Sequence, residues 1–342
     1  MGENKCSHFK CQLDIYKDNN KCILHCEKNI AYDAKDKEIY EDFHEALIDN
    51  IAQQLEESSN NDDAIINKQS AIQVLNGELF QVIFPDDGLR GIAENTFFNV
   101  MNFDYIIFPP RKRQDKCDYE QVLMKLKVIH FDYCEFNTLT LELDKISCFF
   151  TNCIFLVEWI CPPVSKWDRK ETIYQACIFK GKVSNYSSID RNEISSIYTV
   201  PLFDYLCTFE KEMAFNNTKF KKPFFYSSVE QSRENKSWLE KLSFKNCIFE
   251  DVFKLNKCED FDFICKDTTF SKKSKFEFKD NKVEKFELEN SNFKVLVDCF
   301  NTEFKSFKVE KSIFEKFTGF EECKFGEEQN NSKKSTFKYA TF

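Results

Sequence analysis

Two large apolar residues set five positions apart, with a small residue two before the second, recur along this chain of 342 residues. Phe244 to Phe249 (Phe-Lys-Asn-Cys-Ile-Phe) shows the phrase, with Cys247 in the small slot. It returns at Phe131–Phe136 with Cys134, Phe150–Phe155 with Cys153, Tyr174–Phe179 with Cys177 and Phe215–Phe220 with Thr218. It continues at Cys265–Phe270 with Thr268, Leu288–Phe293 with Ser291, Val309–Phe314 with Ser312, Phe320–Phe325 with Cys323 and Phe337–Phe342 with Ala340. In all ten phrases the slot holds Cys, Ser, Thr or Ala, which argues against chance pairing in a chain with 39 Phe. The second Phe also advances by a longer period: Phe249, Phe270, Phe293 and Phe314 are separated by 21, 23 and 21 residues. Self-similarity at such a period marks a solenoid.

Spacings of five and two exclude an amphipathic helix, which repeats at three and four. They fit a square coil. Each side is about five residues long, and four sides complete a turn. The large residue points inward at the middle of a side, and the small one points inward near a corner. Short alternations such as Phe261, Phe263, Cys265 supply the strand period of two.

On these phrases, residues 131–342 resemble the pentapeptide-repeat family. The resemblance implies a mainly β fold: a right-handed, four-sided parallel β-helix. The turns carry insertions, and the family's Asp or Asn beside the small residue is read here as mostly missing. The family is functionally diverse, and a scaffold does not by itself specify an activity.

Charge is unevenly spread. Residues 1–64 hold 15 Asp+Glu and 7 Lys, a net of −8 out of the chain's −9. Residues 240–342 hold 20 of each sign, as a solvated solenoid surface should. No run of 18 apolar residues occurs, so no membrane span is expected in this chain. The start, Met-Gly-Glu-Asn-Lys-Cys, has no apolar signal segment. The 16 cysteines are therefore expected to be reduced, buried thiols in a cytoplasmic protein. With 7 Gly, neither a P-loop nor a dinucleotide fingerprint is present.

Residues 1–35 carry the strongest local chemistry. Cys6 and Cys11 form one short pair. Cys22 with Cys26, or Cys22 with His25, forms another, and ten residues separate the two pairs. Tetrahedral zinc takes four such ligands as two pairs across a loop. The expectation is a structural zinc site drawn from Cys6, Cys11, Cys22, His25 and Cys26, with the choice between His25 and Cys26 open. The metal would fold a segment too poor in apolar residues to fold alone. The plain alternative is a set of free thiols in a flexible tail.

An amphipathic helix is predicted over 36–58. Tyr40, Phe43, Leu47, Ile51 and Leu55 make its stripe, with Asp36 as N-cap, Glu38, Glu41 and Asp42 favouring the dipole, and His44 on the solvent side. It is expected to close the solenoid's end or to bind a partner. Residues 56–64 read as a linker. Residues 65–130 read as irregular first coils. Ile65, Ile66, Ile72, Val74 and Leu75 would begin the sheet region, and Leu79–Phe84 would add a strand ended by a Pro-Asp-Asp-Gly turn. Phe97 to Phe108 would continue the strands, and Tyr119–Val128 is either helix or strand. Arg111-Lys112-Arg113 is too short a basic run for a nucleic-acid site. Regular coils follow over 131–342, interrupted at 156–173 and 221–240. In these insertions Trp159, Trp167, Phe224, Phe225, Tyr226 and Trp238 are candidate partner-binding anchors, with covering of the solenoid flank as the alternative. The last phrase ends on Phe342 without a cap, so self-association through that coil or a further domain is expected. In some pentapeptide-repeat relatives a C-terminal membrane segment follows.

Four His with no recognisable nucleophile–base spacing argue against an enzyme. The expected function is a non-catalytic protein-interaction scaffold, a subunit of a bacterial multi-protein complex in defence or sensing. The resemblance also implies an alternative, a DNA mimic acting on a type II topoisomerase. The neutral charge of 240–342 opposes it, because a mimic needs a negative stripe. A zinc-dependent nucleic-acid enzyme is the third reading, and it lacks the His-rich acid–base set such sites use.

Overall fold

The strands pair in parallel and stack into a β-solenoid of about 7 turns. The computed structural model describes residues 5–8, 11, 13–17, 20–28, 37–59, 68–76, 97–110, 117–138, 140–141, 143, 146–162, 172–185, 194–204, 206–227, 239–271, 275–326 and 336–341. The chain divides into two compact units, Met1–Cys148 and Phe149–Phe342.

In the second unit the described strands include one 10-stranded, one 6-stranded and one 5-stranded sheet. Register keeps like residues in columns. Phe220, Phe249, Phe270, Phe293 and Phe314 lie directly over one another. Their rings stack almost parallel at 4.8, 4.8, 4.7 and 4.8 Å. That matches the distance between neighbouring strands, so ring contact and backbone pairing are satisfied by one rise. Each stacked pair contributes about 0.5–1.5 kcal/mol beyond its buried area.

The small slot has a hydrogen-bonding reason. Thr268 Oγ1 donates to the carbonyl of Lys266 at 2.9 Å and lies 3.4 Å from that of Phe244 in the preceding coil. Ser291 repeats this with Glu289 at 3.0 Å and Cys265 at 3.4 Å. The Ser291 hydroxyl also faces the Thr268 N–H at 3.4 Å, and Ser312 faces the Ser291 N–H at 3.2 Å. Cys247 places its thiol 3.4 Å from the Phe215 carbonyl. A larger side chain would displace these corner contacts. Ten cysteines from Cys134 to Cys299 are buried as free thiols, as small apolar filler should be.

The residue just before each of the ten small slots turns the corner with a left-handed backbone, with φ from 48° to 56° at Tyr133, Asn152, Ala176, Asn217, Asn246, Asp267, Asn290, Lys311, Glu322 and Tyr339. Asn and Asp tolerate this conformation better than other non-glycine residues. Five of the ten are Asn or Asp, while Tyr133, Ala176, Lys311, Glu322 and Tyr339 take the same conformation without that advantage. The Asn246 amide further donates to Asn217 at 2.8 Å, and Asn290 to Asp267 at 2.6 Å, tying successive corners. Outward charges pair across coils, as in Lys266–Glu289 at 2.8 Å and Lys279–Asp298 at 3.0 Å. Such exposed pairs contribute at most about 1 kcal/mol each.

The first unit begins its helices at α1 (Lys37–Ser59). The stripe Tyr40, Phe43, Leu47, Ile51 and Leu55 is buried. The proposed cap Asp36 lies outside the described residues, as do Ile65, Ile66, Leu79–Phe84 and Arg111-Lys112-Arg113. Residues Ile72, Val74 and Leu75 do not begin a sheet. They belong to α2 (Lys68–Leu75), because Ala71 and Leu75, four apart, are buried while Lys68 pairs with Asp49 of α1 at 2.7 Å. Strands β1 (Phe97–Asp104) and β2 (Ile107–Phe108) follow as expected. The stretch Tyr119–Val128 is both helix and strand. Asp118 caps α3 (Tyr119–Leu123) by accepting from Glu120 N–H at 3.2 Å, and β3 (Leu126–Asp132) starts three residues later. β3 pairs with β1, and β4 (Glu135–Phe136) pairs with β2.

Helix α1 closes the edge of β1, as expected of an end-covering helix. Phe43 meets Phe108 and Tyr119 edge-on at 5.8 and 5.7 Å. The Gln54 side-chain amide bonds both polar groups of Asn102, donating to its carbonyl at 2.8 Å and accepting from its N–H at 3.1 Å. One side chain thus stands in for a neighbouring strand. Among the described residues no helix is long and apolar enough to cross a membrane.

Candidate metal centre

The N-terminal segment is shaped by two turns. One runs from Cys6 to Cys11. It is closed by Cys6 N–H to the Leu13 carbonyl at 3.0 Å and Cys11 N–H to the His8 carbonyl at 3.1 Å. The other runs from Cys22 to Cys26, where the Cys22 carbonyl accepts from His25 N–H at 3.1 Å and Cys26 N–H at 2.9 Å. Together they bring Cys6, Cys11, Cys22 and His25 to one point, with all four ligand atoms within 4.8 Å of one another.

The spacing fits a tetrahedral ion. Metal–sulfur and metal–nitrogen bonds of about 2.3 and 2.0 Å give tetrahedral edges of about 3.5–3.8 Å. The observed edges are 3.7 Å for Cys11 Sγ–Cys22 Sγ, 3.5 Å for Cys6 Sγ–His25 Nδ1 and 3.2 Å for Cys22 Sγ–His25 Nδ1. Cys26 is not part of the group. Its buried thiol points instead toward the Ile23 carbonyl at 3.7 Å. His25 and Cys26 leave the same turn in different directions, and only His25 reaches the cluster.

Burial favours the uncharged forms of Cys22 and His25, so an ion would have to displace the Cys22 proton to bind. Burial pushes the Cys22 thiol up to about 12 and holds the His25 imidazole down to about 4, so the ring is neutral at pH 7 and free to ligate. Burial also raises Cys11. For Cys6, burial acts upward, but backbone N–H groups of Cys22 and His8 outweigh it and leave the thiol lowered. His8 N–H lies 3.5 Å from Cys6 Sγ, and the His8 ring packs at 4.4 Å on His25 and 4.5 Å on Tyr105. It orients the ligands without joining them.

Sequence reasoning missed Lys28. This lysine is buried, and its ammonium donates to the carbonyls of Cys26 at 3.0 Å and Ile107 at 2.7 Å. It sits 4.9 Å over the Phe43 ring, so it joins the metal turn, β2 and α1. Burial lowers it to about 8. No spacing rule flags such a residue, because only the assembled unit encloses it.

The aromatic anchors are placed differently from expectation. Trp159 is buried in the coil, on the strand Trp159–Cys161, and donates its ring N–H to Tyr174 Oη at 2.8 Å. Phe224 and Tyr226 are also buried, with Phe224 stacked on Phe253 at 5.4 Å. These three are core residues because they fall on inward positions of strands, not in projecting loops. Phe225 alone of the described set faces out, at 41% exposure. Trp167 and Trp238 lie outside the described residues. Compared with known protein families, curated proteins and solved structures, the chain finds no match.

Proposed function

We propose that this chain is a non-catalytic protein-interaction scaffold of the pentapeptide-repeat kind, a subunit of a multi-protein assembly, with a structural zinc ion held by Cys6, Cys11, Cys22 and His25. Three sulfurs and one imidazole are the donor set of closed structural zinc sites. The zinc would supply folding energy to the segment, not chemistry.

The observation that carries the scaffold reading is an apolar step on the outside of the second unit. Phe317 is 75% exposed, and Leu296, one coil earlier in the same row, is 39% exposed. Their neighbours on that face are charged and paired, as in Lys254–Glu277 at 3.6 Å. Large apolar side chains held outward on a rigid row suit a protein partner. Pairing of opposite charges along the coils supports this reading over a DNA mimic, which needs unpaired negative charge. Among the described histidines, His25 belongs to the metal group and His8 packs on it, while His44 and His130 lie on α1 and β3.

The test is affinity capture from the native host with this chain and with its double variant Leu296→Glu, Phe317→Glu. A stoichiometric protein captured by the first and lost with the second is the expected result. Equal capture by both, or capture of topoisomerase alone, would overturn it.

A further inference from the structure

In the coils, a two-residue strand after a corner is held from the preceding coil by a fixed pair of bonds. Ile178 N–H donates to the Cys153 carbonyl at 2.8 Å, and Lys180 N–H to that of Phe155 at 2.9 Å. Thr208 and Glu210 repeat this with Cys177 and Phe179, at 2.8 and 2.9 Å. Within the first unit, Glu135 and Asn137 repeat it with Ile106 and Phe108, at 2.9 and 3.1 Å.

Stepping down one rung, Ile107 and position 109 should make the same two bonds with a coil before them. Ile107 N–H donates at 2.9 Å to the carbonyl of Leu24. Position 109 is Pro109, which has no N–H to give. One bond of the pair is therefore supplied by the metal turn, and the need for the other has been removed by proline, a common way to end a sheet edge. Leu24 lies between the ligands Cys22 and His25, so an ion binding both fixes the direction of its carbonyl. Lys28 then closes the remaining Ile107 carbonyl at 2.7 Å.

We propose that the metal turn acts as the missing coil beneath β2, and that metal occupancy decides whether this edge is closed. The proposal rests on the metal-binding reading above. With the ion bound, Leu24 completes the ladder. Without it the turn keeps its buried Ile23 and Leu24 and the Lys28 contacts to the Leu24 and Cys26 carbonyls, at 3.4 and 3.0 Å, but loses the tie between Cys22 and His25 that sets the direction of the Leu24 carbonyl. The Ile107 N–H then loses its acceptor, while the Phe108 carbonyl keeps Asn137. The β1 edge serves as an internal reference, because Asn102 is clamped by Gln54 from α1 and not by the metal turn.

The experiment is residue-resolved amide hydrogen exchange on the full chain, zinc-loaded and after chelation, with zinc counted by mass spectrometry in each sample. The expected result is one zinc per chain, and exchange at Ile107 faster by about tenfold or more after chelation, with Asn102 and Ile129 changed by less than about twofold. Gln54→Ala should do the reverse, releasing Asn102 and sparing Ile107. Zinc bound but Ile107 unaffected by its removal overturns the edge role and leaves the metal site standing. Uniform acceleration at all three amides also overturns it, because the ion would then hold the whole unit and not one edge. Absence of stoichiometric zinc overturns the metal-binding reading, and the inference with it.

Discussion

The two units solve one problem, closing a stack of strands, by opposite means. The second unit relies on repetition. Five phenylalanines stack in one column at nearly equal intervals, and hydroxyls and thiols bond the same corner carbonyls coil after coil. The first unit relies on single contacts used once: a four-residue ligand cluster, one buried lysine, one glutamine amide and one proline. Repetition spreads stability over many equivalent small terms. Unique contacts concentrate it, so each can be removed by one change. The difference teaches where the chain is robust and where it can be controlled.

The sharpest way to break this contrast is to remove a ligand. Cys22→Ser should abolish metal stoichiometry and destabilise the first unit severely, since structural zinc contributes on the order of 10 kcal/mol in such segments. Metal analysis and denaturant unfolding with unit-specific probes would check it. Cys26→Ser, outside the cluster, should keep the ion. If the two serines behave alike, the ligand set is wrong.

A smaller effect is expected in the repeated unit. Phe270→Ala removes one ring from the middle of the column and should destabilise the second unit by about 3–5 kcal/mol, with metal content unchanged. Denaturant unfolding measures this. A loss well under 1 kcal/mol would mean that the coils yield around a gap, and that the column matters less than its regularity suggests.

The smallest effect is that of acid. Burial lowers His25 from 6.5 to about 4, so the folded chain binds fewer protons there than the unfolded one between those values. Stability of the metal-free first unit should be full above pH 6.5 and fall as pH drops from there to about 4, then level off for this group. Metal binding should weaken in the same direction, because proton and ion compete for Nδ1. Unfolding of the His25→Gln variant across this range should lack the slope. A slope that survives in the variant would assign it to other groups.

The coils were legible because their cause is local and recurs: a small residue at a corner, a large one at mid-side. The corners were read only through their small residues; that the position immediately before each slot turns left-handed, at Asn246 and Lys311 alike, had no single residue type to announce it. Helix α2 was misread because the apolar residues Ile72 and Val74 alternate over too short a run to separate period two from period three and four. The ligand pairs could be read from spacing, but not the choice of His25 over Cys26. Neighbouring residues of one turn differ in side-chain direction by geometry that no spacing encodes. Lys28 and Gln54 were invisible for a stronger reason. A buried lysine and a strand-mimicking glutamine acquire their roles only from the carbonyls and amides that other segments bring to them.

The common rise of the phenylalanine column also fixes the grain in which this molecule can change length. Phe249 and Phe270 occupy equivalent places 21 residues apart, and each sees a like ring above and below. Excising or duplicating one such period returns every remaining side chain to a neighbour of its own kind. Adding or removing a few residues within a side turns inward groups outward. Length in this region is therefore expected to change in whole coils, and a smaller insertion has to be absorbed by a register shift such as the one between Phe261 and Asp262.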